Sequence, residues 1–413
     1  MTRTLEGSRF FIKTFGCQMN ENDSEHLAGL LAGAGAAKAG SLEDSDLVIV
    51  NTCAVRGKSE EKAASFLGRL SALQKKHDVV IAVAGCSAQL RRGELLRGKP
   101  RVDLIIGPGR YHELPALLAE RTRGGRVATG RSRAWREIGP DATLREDPSS
   151  AYVPIMEGCD NFCAYCVVPF ARGREKCRPM ERVLAEVADA AAKGYKEVQL
   201  LGQNVNSYRD PGAGAGFAVL LDRVSRIGEI AWVRFLTSHP RDLSPEIARV
   251  MADRPTVCRQ IHLPLQSGSS VVLEKMNRGY TRDEYMEKIA MLKTLMPGIS
   301  LSTDVIVGFP GETEADFEAT LSALEEVGYA NIFSFRYSPR PRTAAAKLPD
   351  DVLPGVKRRR LIVLQDLQKR LQLERNRSFV GTTIRVLGTG VSRKGESRFT
   401  GRSEGFQVVN FTA

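Results

Sequence analysis

Short apolar runs alternate with stretches of helical periodicity along most of this 413-residue chain. That alternation constrains the fold most, because successive strand–helix units build a parallel sheet. In the first part, strands are predicted at 10–14, 47–50, 79–84 and 102–106, with helices over about 23–34, up to about 76, and after Cys86 and Gly109. This pattern reads as an α/β domain with a doubly wound parallel sheet. From Tyr152 a longer series begins, with strands at 152–156, 197–201, 232–236, 260–264, 300–307 and 332–335. Helices at 179–193, 282–295 and 314–327 are the clearest between them. Six such units predict a partial, open (β/α)6 barrel, whose chemistry would sit at the carboxyl ends of its strands. Residues 121–150 are rich in Arg, Gly, Asp and Pro, lack apolar periodicity, and read as a linker.

The chain has eight cysteines. Residues 1–11 show no signal-peptide pattern, and no apolar run reaches the roughly 20 residues of a membrane span. The expected location is therefore cytoplasmic, where thiols stay reduced and metal or redox roles outrank disulfides. Cys17, Cys53 and Cys86 each follow the carboxyl end of a predicted strand, the edge at which open parallel sheets bind ligands. They could converge there, or be separate core residues, as free cysteines often are. Cys159, Cys163 and Cys166 form a C-x3-C-x2-C loop after a predicted strand. Three thiolates so spaced can hold three irons of a 4Fe–4S cube and leave the fourth iron open. Zinc is the competing reading, but it wants a fourth ligand, and the nearest histidines in sequence are His112 and His239. Cys177 and Cys258 lie outside both triads and read as packing residues.

Gln203, Ser238 and Asp304 fall at or just beyond predicted strand ends. Convergent polar groups there could hold a ligand, or merely cap loops. Gly308–Phe309–Pro310–Gly311–Glu312 could line that ligand site or form a tight turn. The net charge of +12 suits a polyanionic partner. A Lys/Arg-rich helix is predicted at 354–377, containing Lys357, Arg358, Arg359 and Arg360; a solvated connecting helix and an RNA contact are its two readings. The last residues carry β-like runs at 383–387 and 407–411 among Arg377, Arg385, Arg393, Lys394, Arg398 and Arg402.

An ordered set of motifs spans nearly the whole chain: Thr14–Asn20 (TFGCQMN), Asn51–Cys53 (NTC), Gly85–Gln89 (GCSAQ), the cysteine loop, Val167–Glu175 (VVPFARGRE), Gly202–Tyr208 (GQNVNSY), Thr237–Pro240 (TSHP), His262–Gly268 (HLPLQSG) and Gly308–Glu312 (GFPGE). In this it resembles the methylthiotransferases of the radical S-adenosylmethionine (SAM) superfamily, and within them the branch acting on tRNA. The resemblance implies that Cys159, Cys163 and Cys166 hold the radical SAM cluster, and that Cys17, Cys53 and Cys86 hold a second 4Fe–4S cluster. It implies SAM as cofactor, and Gln203, Ser238 and Asp304, from their strand-end positions, could hydrogen-bond SAM or the substrate base. It implies methylthiolation of carbon 2 of N6-isopentenyladenosine at tRNA position 37, with two SAM molecules consumed. A reducing electron donor such as a flavodoxin would be a partner, and no membrane would be. Related substrates are threonylcarbamoyl-adenosine in tRNA and a ribosomal-protein aspartate. A metal-containing RNA-binding protein without catalysis is the non-enzyme alternative. The expected division is 1–122 (cluster-binding methylthiotransferase domain), 123–150 (linker), 151–350 (radical SAM domain), 351–376 (basic helix) and 377–413. That last segment resembles the first half of a TRAM module, a small RNA-holding β-barrel, cut short.

Overall fold

The computed structural model describes residues 5–55, 57–96, 100–120, 125–132, 135, 139, 142–392 and 398–412. The chain divides into two compact units. The first comprises Met1–Glu146, Glu157–Asp160 and Val167–Lys176; the second comprises Asp147–Met156, Asn161–Cys166 and Cys177–Ala413.

The first unit runs β1 (Arg9–Phe15), α1 (Gln18–Gly33), β2 (Ala37–Lys38), β3 (Leu47–Thr52), α2 (Gly57–Lys76), β4 (Val80–Gly85), α3 (Cys86–Arg91), β5 (Leu104–Ile106), α4 (Leu114–Ala119) and β6 (Arg126–Ala128). All six strands are parallel, in the order β2-β1-β3-β4-β5-β6. Both faces of the sheet are covered, so its central strands are continuous apolar runs rather than alternating ones. Val48, Val50, Ile81 and Val83 pack with Phe66 and Leu70 on one face, and Leu47, Ile49, Ala82 and Ala84 with Leu27, Leu31 and Leu114 on the other.

The proposed linker at 123–150 is partly built into this unit. Residues 126–128 form the edge strand β6. Leu144 donates from its backbone N–H to the Glu25 carbonyl (3.1 Å), and Glu146 N–H to the Glu25 carboxylate (3.2 Å). These attachments run through backbone hydrogen bonds, so they leave no apolar period in the sequence. Residues 121–124, 133–134, 136–138 and 140–141 of that segment, and Arg393 and Lys394, lie outside the described residues.

Two short strands, β8 (Met156–Glu157) and β9 (Lys176–Cys177), and the short helix α5 (Val168–Ala171) lie where the chain passes between the units. The second unit holds six parallel barrel strands, met in sequence order: β7 (Ser150–Pro154), β10 (Glu197–Leu201) and β11 (Trp232–Phe235) in one sheet, β12 (Gln260–His262), β13 (Ser300–Val307) and β14 (Asn331–Arg336) in another. A single parallel bridge, Val233 to Val257, lies at the seam just ahead of β12. The outer layer is α6 (Met180–Ala192), α7 (Phe217–Val224), α8 (Pro245–Asp253), α9 (Ser270–Lys275), α10 (Arg282–Leu295), α11 (Glu314–Val327) and α12 (Pro354–Arg377). Capping boxes start α10 (Thr281 with Glu284) and α11 (Thr313 with Asp316). The main core, with Val187, Leu200, Val233, Ile261, Val305, Tyr285 and Leu324, fills the space between helices and strands.

In α12, Arg360 pairs with Glu312 (2.9 Å) and Glu314 (3.0 Å), Arg359 with Glu314 (2.8 Å), Lys357 with Asp350, and Arg370 with Glu325. Much of its positive charge is thus spent in fastening the helix to the barrel. Three antiparallel strands end the chain, β15 (Val386–Val391), β16 (Phe399–Ser403) and β17 (Val408–Phe411). β15 starts later than the predicted run at 383–387, and β16 was not legible because Gly401 and three polar residues break its apolar pattern.

Candidate cluster sites and unpartnered polar groups at strand ends

The register of the first sheet places its three cysteines side by side. Phe15 is level with Thr52, and Thr52 with Gly85. Cys53 and Cys86 directly follow two of these residues and Cys17 follows the third by one more. Neighbouring strands lie ~4.8 Å apart, so the three thiols emerge together at one sheet edge. Glycines make the tight exits possible. A Cβ on Gly16 would stand 2.2 Å from Asn20 Oδ1, and one on Gly85 (φ 97°) 2.3 Å from the Thr52 carbonyl. Cys17 caps α1, Cys53 N–H donates to the Phe15 carbonyl (2.9 Å), and Cys86 opens α3.

All three are free thiols. A hydrogen bond from Cys53 lowers Cys17 to about 5, with help from Arg172 against the cost of burial. That same bond and burial push Cys53 up, and burial pushes Cys86 up against the pull of Arg172. Arg172 is itself held by Asp23, in a two-pronged pair, and by Glu157 (3.4 Å). A buried guanidinium beside adjacent thiols suits an anionic, thiolate-ligated group. Among the described residues no three His, Cys, Asp or Glu side chains converge as ligands of one ion would. Three thiols on one sheet edge are a donor set that a 4Fe–4S cluster can use.

The second cysteine loop follows the first barrel strand. Gly158 (φ 87°) must be glycine, since a Cβ there would lie 2.1 Å from the Arg174 carbonyl. Cys159 N–H donates to the Gly173 carbonyl (3.2 Å) in the first unit. In the second unit, Cys166 N–H donates to the Cys163 carbonyl (2.9 Å), Ala164 N–H to the Met276 carbonyl (2.8 Å), and Ala345 N–H to the Ala164 carbonyl (2.8 Å). The loop backbone is thus fixed independently of any ligand, with Phe162 at φ 48°.

Buried polar atoms without a hydrogen-bond partner gather after three neighbouring barrel strands: Asn204 Oδ1 and both amide atoms of Asn206 beyond β10, Ser238 Oγ and His239 Nε2 beyond β11, and Gln266 Oε1 beyond β12. Such groups are costly unless something binds them. Thr237 (φ 67°) and Gln266 (φ 71°) hold left-handed conformations in the same loops; strain of this kind concentrates at ligand sites. Ser238 lies in the loop just beyond β11, the position expected from the sequence. Gln203 is half-buried beside Asn204 in the chain. Asp304 does not lie at a strand end: it is mid-strand in β13, half-buried, with Oδ1 3.6 Å from His262 Nε2. The run 300–307 gave the right strand, but the residue was counted too close to its end. Asn204, Asn206, His239 and Gln266 were missed as site residues although they lie inside the Gly202–Tyr208, Thr237–Pro240 and His262–Gly268 motifs. Glu312 accepts from Gly308 N–H and from Arg360 (2.9 Å), and burial pushes it up to about 7, which makes the Gly308–Glu312 run a braced turn.

His239 Nδ1 accepts from Arg241 N–H (3.3 Å), and burial, with Arg278 and Arg241 nearby, lowers it to about 2. The folded protein thus keeps this imidazole neutral, so its contribution to stability is present above pH ~6.5 and is lost as pH falls below it. Between pH 6.5 and 5 that loss approaches 2 kcal/mol, at ~1.4 kcal/mol per unit. Urea denaturation of His239→Gln across this range should show a flatter pH dependence than the parent; equal slopes would remove His239 as the cause.

Comparison with known proteins places these features in a family. Residues 153–324 match the Radical SAM superfamily, and residues 9–107 match the Uncharacterized protein family UPF0004. A tRNA-2-methylthio-N(6)-dimethylallyladenosine synthase of Geobacter metallireducens is 46% identical over 97% of this chain and 91% of its own. Proteins of the same name from Geotalea uraniireducens (47%; 98% and 92% covered) and Chlorobium luteolum (44%; 98% and 92%) are similarly close. Among solved structures, the radical SAM methyltransferase TsrM of Kitasatospora setae superposes with TM-score 0.59 at 16% identity, over 84% of this chain and 77% of that one, which speaks to the fold alone. No helix among the described residues is long and apolar enough to cross a membrane. This chain belongs to the radical SAM methylthiotransferase family of tRNA-2-methylthio-N(6)-dimethylallyladenosine synthases, enzymes whose cofactors are SAM and 4Fe–4S clusters.

Proposed function

We propose that this chain transfers a methylthio group to carbon 2 of N6-isopentenyladenosine at position 37 of tRNA, consuming two SAM molecules. The relatives' shared name over nearly their full length supports the reaction. The single observation that carries the assignment of parts is the register match that sets Cys17, Cys53 and Cys86 on one sheet edge, in a chain that also has the Cys159–Cys163–Cys166 loop. In this reading the first triad holds one 4Fe–4S cluster and the loop holds the other. Bound there, the clusters and SAM supply one-electron chemistry and the sulfur-bearing platform that the polypeptide lacks.

The protein's own residues bind and orient. Asn204, Asn206, Ser238, His239 and Gln266, with Gln203 beside them, offer fixed polar atoms to SAM or to the adenine edge. With Nδ1 accepting from Arg241 N–H, neutral His239 carries its proton on Nε2 and can donate a hydrogen bond from there. Asp304 and His262 would meet the substrate from within the barrel instead. The division proposed is a cluster-binding domain to about residue 122, a radical SAM domain over 151–350, the basic helix, and a terminal RNA-holding module. Flavodoxin-like electron supply and a cytoplasmic setting complete the reading.

The test is anaerobic. Reconstituted protein is incubated with SAM, dithionite and isopentenylated tRNA, and the digested nucleosides are analysed by mass spectrometry. A gain of one methylthio group on isopentenyladenosine is expected. SAM cleavage without that product, or product only on threonylcarbamoyl-adenosine or on a ribosomal protein, would overturn the substrate.

A further inference from the structure

Five arginines are buried among the described residues: Arg172, Arg178, Arg234, Arg278 and Arg360. Four have a carboxylate: Asp23, Glu186, Glu197 and Glu312 respectively. Arg278 has none. Its Nη1 donates to Cys163 Sγ (3.2 Å) and to Tyr165 OH (3.3 Å), its Nε to Tyr280 OH (2.9 Å), and its Nη2 to the Pro264 carbonyl (3.1 Å). The Tyr280 ring lies 5.2 Å from the guanidinium carbon. Every donor direction used ends on a neutral oxygen except the one that ends on sulfur. A guanidinium is charged at all accessible pH values, and burying it without a counter-charge is costly. The one sulfur among these acceptors, Cys163 Sγ, is the atom through which a bound cluster would place its negative charge against the guanidinium.

The backbone around Arg278 is tied to the cysteine loop as well. Ala164 N–H donates to the Met276 carbonyl (2.8 Å), and Asn277 Nδ2 donates to the Phe162 carbonyl (3.1 Å), with Asn277 itself at φ 55°. Three consecutive residues, Met276, Asn277 and Arg278, therefore grip three loop residues, Ala164, Phe162 and Cys163. The guanidinium is placed against the sulfur by the backbone and does not need a ligand to draw it in.

We infer that Arg278 is the built-in counter-charge of the cluster held through Cys163, and that it sets how readily that cluster accepts an electron. This rests on the reading that Cys159, Cys163 and Cys166 are cluster ligands. A fixed positive charge, together with an N–H donor on the ligand sulfur, stabilises the more negative reduced state and so raises the reduction potential. Arg278 is thus a positioning and tuning residue: it acts on the cofactor through Cys163 rather than on the substrate.

The experiment isolates this cluster. A Cys17→Ala/Cys53→Ala/Cys86→Ala background is reconstituted with iron and sulfide, and its iron content and midpoint potential are read by EPR-monitored dithionite titration. Arg278→Met and Arg278→Lys are then compared in that background, with circular dichroism to confirm folding. Arg278→Met is expected to make reduction at least tenfold less favourable, a shift of ~59 mV to more negative potential for one electron, or to lose iron while remaining folded. Arg278→Lys, which keeps the charge but not the fork, should lie nearer the parent. A Met variant with full iron at the parent potential would overturn the inference, as would Met and Lys variants changed alike. Absence of any cluster in the background itself would instead refute the ligand assignment on which the inference rests.

Discussion

Cys17→Ala should abolish the methylthio product while leaving SAM cleavage to 5′-deoxyadenosine intact, whereas Cys163→Ala should abolish both. The asymmetry follows from where the two thiols stand. Cys163 belongs to the loop after the first barrel strand, and in the proposed reading losing it removes one of the three ligands of the cluster that cleaves SAM. Cys17 belongs to the other sheet, level with Cys53 and Cys86, where the proposal puts the sulfur-bearing cluster. Cys17 is also the thiol lowered to about 5, through its hydrogen bond with Cys53. The measurement is anaerobic turnover of the two variants beside the parent, with 5′-deoxyadenosine and modified nucleoside quantified in one sample. The variant-to-parent ratio of product should reach the detection floor for both, while deoxyadenosine falls only for Cys163→Ala. Product from Cys17→Ala above a few per cent of parent would remove the first triad from the reaction. Equal loss of deoxyadenosine in both would mean that Cys17 supports the fold instead.

How much of this could be read from residues alone depends on how each part is encoded. Strand β3 was legible because its first four residues are an unbroken apolar run, β10 and β13 because β-branched and apolar residues recur between predicted helices, and α10 and α11 because each carries its own cap. The candidate cysteines were legible because their chemistry is rare and their spacing is tied to strand ends. β6 and β16 were not, being short and broken by Gly or polar residues whose partners lie far along the chain. Asn206, His239 and Gln266 were passed over for a related reason. A polar residue in a loop looks like solvent-facing punctuation until the fold buries it without a partner, and burial is a property of the tertiary structure. The charge of α12 misled in the opposite sense. Its two sequence readings were a solvated connecting helix and an RNA contact, yet Arg359, Arg360 and Arg370 each find a glutamate 45 or more positions away in sequence, outside any local pattern. Arg278 carried no sequence signal at all, since its meaning lies in what is missing around it.

Glu197→Ala should cost about 3–5 kcal/mol of stability, the range for unpairing a buried ion pair. Glu197 and Arg234 are paired at 2.6 Å with side chains 2% and 0% exposed, at the start of β10 and within β11. Glu197 also accepts from Ser150 Oγ (3.0 Å) and Gln199 Nε2 (2.6 Å). Arg234 donates onward to the carbonyls of Ser403 (2.8 Å) and Glu404 (2.5 Å), and it is sandwiched between the Trp232 and Phe406 rings, at 4.9 and 5.0 Å. The pair therefore joins the terminal three-stranded module to the barrel, helped by Ser300 Oγ donating to the Gly405 carbonyl (2.8 Å). Removing the glutamate strands a buried guanidinium. Removing the arginine strands a carboxylate and two carbonyls. Each single change is thus severe, whereas Glu197→Leu with Arg234→Met should cost less than the sum, because no charge is left unpaired. Urea denaturation of the two single variants and the double closes the cycle. Singles within ~1 kcal/mol of the parent would show that water reaches the pair. If the cycle holds, the double variant provides a further reading: a barrel of near-parental stability whose terminal module has lost its anchor, so that salt-dependent tRNA affinity should fall more than SAM cleavage.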